Sequence, residues 1–596
     1  MPTYITPIKD IMYNLTDVLN IEQYQSFPGF EDATEDLFKA ILEESGKLCE
    51  EVLLPLNTIG DIEGCTRHKD GSVTTPKGFK EAYKLYCEGG WLGISQDPKY
   101  GGQGLPYIVT ILLEELLASA NMSFNMYPGL TGGAASAINV AGNDKQREKY
   151  LPNLHSGKWT GTMCLTEAHC GTDLGLMRSK AELQENGIYK VTGSKIFITG
   201  GEHDLTENII HLVLAKIPGG PEGSKGISLF IVPKIMINDD GSLGEKNGVM
   251  CGSIEEKMGI HGASTCVMNF DGATGYLLGA EHDGLKAMFI MMNGARIGVG
   301  IQGLAQSEVS YQNAANYARE RLQMRSISGT KNPDGPADPI IVHPDIRRML
   351  MDARAFNEGA RSLAMWVSLL PNFVKGEVDE KKREEYNDLL GLLTPVMKGY
   401  FTDKGYENAT NAQQIFGGHG YIKEYGMDQF VRDARIAMIY EGTNGIQALD
   451  LVGRKLGANG GRAIQSYFAL LTKDIEENED PTSDEFIKPL KAALGDLQSA
   501  SIWLLQNATK NPDNAGAASY AYMHLLGLVA LGHMWLKMAI KSSKVLKEGS
   551  NDPSFHENKL ITARYFMKRM LPETSAHLKK VEAGADIMMA LKADSF

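Results

Sequence analysis

The sequence predicts a multidomain α+β protein, with one block of β-strands set between helical blocks. Two observations carry this. First, apolar residues recur at three- and four-residue spacing from Phe30 to about His155 and again from His282 onward, the pattern of helices with one buried face. Second, from Lys158 to about Gly279 the period falls to two, and Gly, Pro and Asp turns separate short runs. A chain of 596 residues is too long for one core, so two to four domains are expected. The division read from these shifts is an N-terminal helical domain over 1–161 and a middle β domain over 162–281. A helical bundle domain over 282–456 and a further helical domain over 457–596 follow.

The first block rests on LFKAILEESGKLCEEVLLPLN and VTILLEELLASANMSF. Between them Tyr100-Gly101-Gly102-Gln103-Gly104 reads as a structural turn, because a phosphate loop needs a Lys and a preceding strand. The β block comprises VTGSKIFITG, IIHLVLAKI, GISLFIVP and CVMNFDGATGYLLG. These runs follow one another without helices, which implies an antiparallel barrel or sandwich. No GxGxxG follows a strand, so no Rossmann nucleotide site is indicated. In the third block LKAMFIMMNGARIGVGIQGLAQSEVSYQNAANYARERL is one periodic helix, interrupted afterwards by SGTKNPDGPADPIIVHP. Gly457-Ala458-Asn459-Gly460-Gly461 reads as a linker to the helical tail. Within that tail, Ala515 to Leu536 lacks Asp, Glu, Lys and Arg, yet its glycines, tyrosines and histidines make it a buried bundle helix rather than a membrane span.

Composition is that of an ordinary globular protein, 43% hydrophobic and 22% charged, and the net charge of -14 argues against nucleic acid or an anionic membrane as the main partner. Seven scattered cysteines without a CxxC read as reduced thiols in a cytoplasmic setting. They offer no metal-ligand spacing. The N-terminus, MPTYITPIKDIMYNL, has no secretory signal pattern.

One stretch concentrates the chemistry. In RDARIAMIYEGTNGIQALDLVGRKL an apolar run delivers Glu441 onto the break Gly442-Thr443-Asn444-Gly445, and a second helical pattern starts at Ile446. A carboxylate against an apolar wall, beside a helix start, is a candidate base. Three other stretches bear on it: MCLTEAHCGTD (163–173), KIFITGG (195–201) and QIFGGHGY (414–421).

Together with IYEGTNGIQ, in this order, these stretches resemble the acyl-CoA dehydrogenase family, whose patterns read approximately TEPxAGSD, KxWIT, QxxGGxG and YEGT. The resemblance covers about Glu35 to Lys455 and implies an FAD enzyme of that family's fold, with helical, β and four-helix-bundle domains. It implies that Cys164, Leu165, Thr166, Gly171, Thr172, Phe197, Ile198 and Thr199 face the flavin from the β domain, Phe197 standing for the usual Trp. Arg321 and Gln323, in ARERLQMRS, would meet the FAD diphosphate. Gln414, Gly417 and Gly418 would reach the adenine end from a neighbouring subunit, making a homodimer part of the cofactor site. Thr443, Asn444 and Gly445 would border the flavin. Thr172, Arg296 and Gly442 would meet substrate, and Glu441 would remove the α-proton of an acyl-CoA thioester. Ala295 stands where other members place their base.

AHCGTD lacks the usual Pro-Gly, ERLQMRS lacks FG, and Gly445 replaces a Gln. With the insert Gly329 to Pro344 and the helical tail, these departures look like a subgroup with an extra C-terminal domain, and ERLQMRS, PIIVHPDIRRMLM, EGARSL and RYFMKRMLP resemble its 3-methylthiopropanoyl-CoA dehydrogenase branch. The resemblance implies electron-transfer flavoprotein as acceptor. Two alternatives remain open at this level: an oxidase using O₂, and a DNA-binding flavoprotein presenting Lys537, Lys541, Lys544 and Lys547.

Overall fold

The computed structural model describes residues 2–596. The chain forms two compact units: one holds Ser45–Leu105 and Leu116–Gly298, the other the residues up to Glu44, Pro106–Glu115 and Val299–Phe596.

The first of these is built on a sheet of seven strands: β1 (Trp159–Cys164), β2 (Lys180–Leu183), β3 (Tyr189–Thr199), β4 (Asn208–Lys216), β5 (Ile227–Pro233), β6 (Val249–Ile254) and β7 (Thr265–Leu278). The order β6-β7-β3-β2-β4-β1 is joined into a ring because β5 pairs with both β7 and β4. The barrel is antiparallel except that β1 runs parallel to β4, and β2 meets β4 in parallel at Lys180 and Lys216. Strands β4 and β5 are mostly apolar and are buried on both faces up to half-buried Lys216. Ile210, Leu212 and Leu214 join a cluster with Ala134, Ile138, Leu151 and Trp159. Val213 and Ala215, turned the other way by the two-residue period, pack with Val191, Phe230 and Cys266. A sheet covered on both sides needs this near-continuous hydrophobicity.

The other unit is helical. To it belong residues 107–115 of helix α1 (Tyr107–Ala141, broken at Asn121) and 299–320 of α2 (Gly284–Glu320), the rest of both helices lying in the barrel unit. They are followed by α3 (Pro344–Gly376), α4 (Glu380–Ile415), α5 (Met427–Ala437) and α6 (Asn444–Asp450). The tail adds α7 (Arg462–Glu477), α8 (Asp484–Asn507), α9 (Asp513–Glu548), α10 (Pro553–Tyr565) and α11 (Glu573–Glu582). Helix α9 is the tail's core: Trp535 is fully buried and its indole N–H donates to the Ala355 carbonyl of α3 at 3.0 Å. The start of the chain is tied to it too, with the Tyr13 hydroxyl donating to the Met538 carbonyl at 2.7 Å. A buried ionic cluster gathers these elements: Arg361 of α3 binds Glu115 and Glu308 (2.6 and 3.0 Å) and also Asp10, while Lys559 of α10 binds Asp10 and Glu358.

Helices α1 and α9 are long and apolar enough to cross a membrane, but 83% of each apolar window is buried inside the protein, as core helices require. The four lysines of the tail do not form an open basic face. Lys537 pairs with Asp474, Lys541 with Asp17 and Lys544 with Glu548, and Lys547 reaches Thr482. The charge pattern that a DNA-binding reading requires is therefore neutralised.

Candidate active site

In the barrel unit, MCLTEAHCGTD leaves the end of β1 and KIFITGG ends β3. The Ile196 N–H donates to the Thr166 carbonyl at 2.9 Å, which brings the two stretches side by side. Opposite Val267 of β7, β3 carries two residues, Ile196 and Phe197, a β-bulge. Phe197 there takes φ +60 and is 60% exposed, while its neighbour Ile198 is buried at 2%. The bulge turns an aromatic face outward, and Thr166 and Thr199 of the same two stretches are half-buried. Cys164 and Ile198 point into the barrel, so their contribution to an outer ligand is confined to backbone groups. Gly171 and Thr172 lie in the exposed loop that follows.

Beneath this surface lies an ion pair that the motif reading missed. Glu167 is 5% and Lys195 0% exposed, and Lys195 Nζ donates to Glu167 Oε1 at 2.9 Å and to the Leu165 carbonyl at 3.1 Å. Glu167 also accepts the N–H groups of Arg178 (2.8 Å) and Ser179 (3.0 Å). Burial pushes this carboxyl up, but the Lys195 ammonium and the donated N–H groups outweigh it and hold the pKa down to about 2. His169 and Cys170 offer ligand atoms that lie with those of Glu167 within 4.8 Å of one another. The trio is not a metal cradle, because Glu167 is committed to Lys195 and His169 Nε2 bonds the Leu176 carbonyl at 2.9 Å. Nearby, the Lys216 ammonium donates to the Gly175 carbonyl at 2.6 Å, beside a cleft of about 450 Å³ lined by Lys180, Lys216 and the turn 217–223.

In the helical unit, α5 ends after Ala437 and α6 starts at Asn444, with Glu441 on the turn between. Glu441 has φ +56, unusual for a residue with a side chain, and Gly442 follows at φ +84. Gln447, fully buried on α6, donates to the Glu441 carbonyl (3.1 Å) and also lies 3.3 Å from that of Gly442. A Cβ on Gly442 would stand 2.7 Å from Gln447 Nε2, so this clamp needs glycine. The Asn444 N–H closes the turn on the Met438 carbonyl at 3.1 Å. Tyr440 donates to Gln302. Burial, with the Glu441 carboxylate beside it, pushes the Tyr440 phenol far up, so it remains a donor. Thr443 and Gly445 are exposed, but the Asn444 side chain is turned inward: its Oδ1 accepts from Lys398 at 2.8 Å and its Nδ2 donates to Asp403 at 2.7 Å. That arrangement removes its side chain from the flavin-bordering role that the motif suggests.

Arg321, at the end of α2, and the 414–421 stretch form one locality of this unit. Tyr317, one turn before Arg321, stacks on Phe416 with ring centroids 4.1 Å apart and bonds His419 Nδ1 at 2.8 Å. Gln414, Gly417 and Gly418 are exposed, and a Cβ on either glycine would meet nothing within 4 Å. Gln323 is held by its backbone, its N–H donating to the Asp338 carbonyl at 3.0 Å. Asp338, fully buried, organises the insert by accepting the N–H groups of Ser326, Lys331 and Asn332. Arg296, also on α2 but in the barrel unit, is buried at 7%. Among the described residues, Phe197, Met324 and Glu441 are three of the seven non-glycine residues at positive φ, one in each of three motif stretches. Such strain collects at functional sites.

Comparison with known proteins covers nearly the whole chain. Residues 65–158, 162–273 and 282–456 match the N-terminal, middle and C-terminal domain models of acyl-CoA dehydrogenase. Residues 467–592 match the model described as acetyl-CoA dehydrogenase C-terminal like. The 3-methylmercaptopropionyl-CoA dehydrogenase of Ruegeria pomeroyi is 40% identical over 99% of this chain and 100% of its own. The chain belongs to the acyl-CoA dehydrogenase family. A butyryl-CoA dehydrogenase of Syntrophomonas wolfei is 31% identical over 100% of this chain and 99% of its own. In fold, the chain is similar to Caenorhabditis elegans ACDH-11 in complex with C11-CoA, with TM-score 0.79 at 18% identity, covering 99% of this chain and 96% of that one.

The residues present fit the FAD of an acyl-CoA dehydrogenase. On the barrel unit, an outward aromatic ring stands at a pinned bulge, and the two joined stretches carry the half-buried Thr166 and Thr199. On the helical unit, an exposed guanidinium lies near open glycine backbone, the chemistry a dinucleotide's phosphates and adenine call for. Glu167, Lys195, Gln447 and Asp403 were missed by motif reading. The available signal was an acid and a base placed within apolar strand patterns, as in CLTEAH and SKIFI.

Proposed function

We propose that this acyl-CoA dehydrogenase family member removes the α-proton and β-hydride of an acyl-CoA thioester, leaving a trans-2-enoyl-CoA. Its substrates are short-chain or 3-methylthiopropanoyl thioesters, as the name of the Ruegeria pomeroyi relative suggests. The observation that carries the reading is the Glu441 turn, a carboxylate held at φ +56 against Tyr440 by the Gln447 clamp. The Glu441 carboxylate takes the α-proton, and its backbone N–H, oriented by the turn, polarises the thioester carbonyl so that the α-carbon can release it. Gly442 leaves room for the thioester, Thr443 and Gly445 border the flavin, and Thr172 and Arg296 are substrate contacts by the family resemblance. The bound FAD supplies the acceptor for the β-hydride. Phe197, Thr166 and Thr199 orient the cofactor by ring contact and hydroxyl bonds, and Cys164, Leu165, Gly171 and Ile198 by backbone groups.

Arg321 and the Gln414–Gly418 loop share one locality, which supports their acting together on one dinucleotide. In a homodimer this would be the partner subunit's FAD, with Gln323 supporting the Arg321 end. Tyr421, 83% exposed beside the loop, suits such an interface. The enzyme passes electrons to electron-transfer flavoprotein in the cytoplasm, where its seven free thiols stay reduced. We divide it at 161, 281 and 456 into helical, β, bundle and tail domains.

The test is the holoprotein mixed with 3-methylthiopropanoyl-CoA, butanoyl-CoA or dodecanoyl-CoA, followed by bleaching of the flavin band. Fast bleaching with the two short substrates is expected. Preference for dodecanoyl-CoA would overturn the substrate class, and peroxide release without an added acceptor would overturn the electron acceptor. Failure to bleach with any thioester would overturn the reaction.

A further inference from the structure

The tail domain reaches the Glu441 turn through side chains that no motif marks. Asn444 is the first residue of α6 and is 4% exposed. Its Nδ2 donates to Asp403 Oδ1 at 2.7 Å, with Thr402 Oγ1 and the Gly399 carbonyl at 2.9 and 3.1 Å. Its Oδ1 accepts from the fully buried Lys398 at 2.8 Å. The other Asp403 oxygen, Oδ2, belongs to the tail: His524 Nε2 of α9 bonds it at 2.8 Å, and the Tyr520 hydroxyl one turn earlier donates to it. His524 is in turn held between rings, Tyr400 of α4 at 5.3 Å and His577 of α11 at 5.5 Å. The path from the tail to the turn is therefore Tyr520 and His524 to Asp403, then to Asn444, three residues from Glu441.

We propose that Tyr520 and His524 are positioning residues for the Glu441 turn, acting through Asp403 and Asn444, so that the tail domain fixes the geometry of the base. A carboxylate left alone between α4 and α6 could swing away from Asn444. With Oδ2 engaged by two donors from α9, its other oxygen is directed at the Asn444 amide. The amide fixes the start of α6, and from α6 Gln447 grips the Glu441 carbonyl. A sub-ångström loosening at such a turn is amplified in rate, because displacing a reacting group by about 1 Å costs about 10²-fold. This inference rests on Glu441 being the base.

The experiment uses full-length holoprotein in the variants His524→Ala, His524→Gln, Tyr520→Phe and Asp403→Asn. Ser501→Ala is the control, since it removes a hydrogen bond inside the tail (Ser501 to Tyr522, 2.8 Å) away from the path. Two quantities are read: kcat and KM with butanoyl-CoA, and deuterium exchange of the 438–450 peptide. His524→Ala is expected to lower kcat about 10- to 100-fold with KM within about threefold, and to speed exchange of 438–450. His524→Gln, which keeps a donor for Asp403, is expected to restore most of both. Tyr520→Phe is expected to give a smaller loss, and Ser501→Ala none. Unchanged exchange in His524→Ala and Asp403→Asn would overturn the proposal, as would a kcat loss without faster exchange or a loss confined to KM. Exchange reads the path whether or not Glu441 is the base. A fully active Glu441→Gln enzyme would sink the base assignment while leaving the exchange result intact.

Discussion

The two units hold their functional stretches by different means. In the barrel unit the Phe197 bulge rests on a buried charge pair, Glu167 with Lys195, and on strand register. In the helical unit Glu441 is held through its backbone, by the Gln447 amide on its carbonyl and by the Asn444 network behind it. The difference follows from what each carboxylate does. An ammonium at 2.9 Å holds Glu167 down to about 2, which suits a permanent anion and disables a base. Glu441 is instead gripped at its carbonyl by the Gln447 amide, which fixes its backbone on the turn.

Removing the charge pair should produce the larger effect on stability. Glu167→Gln leaves the Lys195 ammonium buried without its counter-ion, and a loss of about 3–5 kcal/mol is expected in chemical denaturation at neutral pH. The pH dependence has a defined sign. The folded-state value is below the ordinary 4.5, so this stabilisation is complete above about pH 4.5 and disappears as pH falls toward 2. The gap between wild type and Glu167→Gln should close over that window. A constant gap would show that the pair acts by packing alone.

Breaking the clamp should cost less stability and more activity. Gly442→Ala forces a side chain into φ +84 and into contact with Gln447 Nε2. A destabilisation of about 1–2 kcal/mol is expected, with kcat reduced about 10²-fold as the turn shifts. Equal activity in Gly442→Ala would mean that the turn's geometry does not control the base, and the contrast between the units would lose its functional meaning.

The order helix, strand, helix was legible because period 3.6 and period 2 leave separate traces in a single sequence. Closure of the barrel was not, since β5 pairing with both β4 and β7 depends on register between distant strands. Neither was the parallel approach of β1 to β4. Glu441 and Gly442 could be found because a carboxylate and a glycine sit where an apolar run stops. The inward turn of Asn444 could not, because its partners, Lys398 and Asp403, lie more than 40 positions earlier and only α4 packing against α6 brings them together. The four lysines of α9 show the converse: clustered in sequence, three of them pair with separate acidic partners in space and the fourth, Lys547, reaches Thr482.

The central claim is that the Glu441 carboxylate removes the α-proton. Its most direct measurement is a single-turnover comparison of wild-type and Glu441→Gln holoprotein mixed with saturating butanoyl-CoA, monitored by flavin bleaching. The amide cannot accept the proton, so bleaching should slow by about 10²–10⁴-fold or more while flavin content and thioester affinity stay near wild type. Bleaching of the Glu441→Gln enzyme at the wild-type rate would contradict the account.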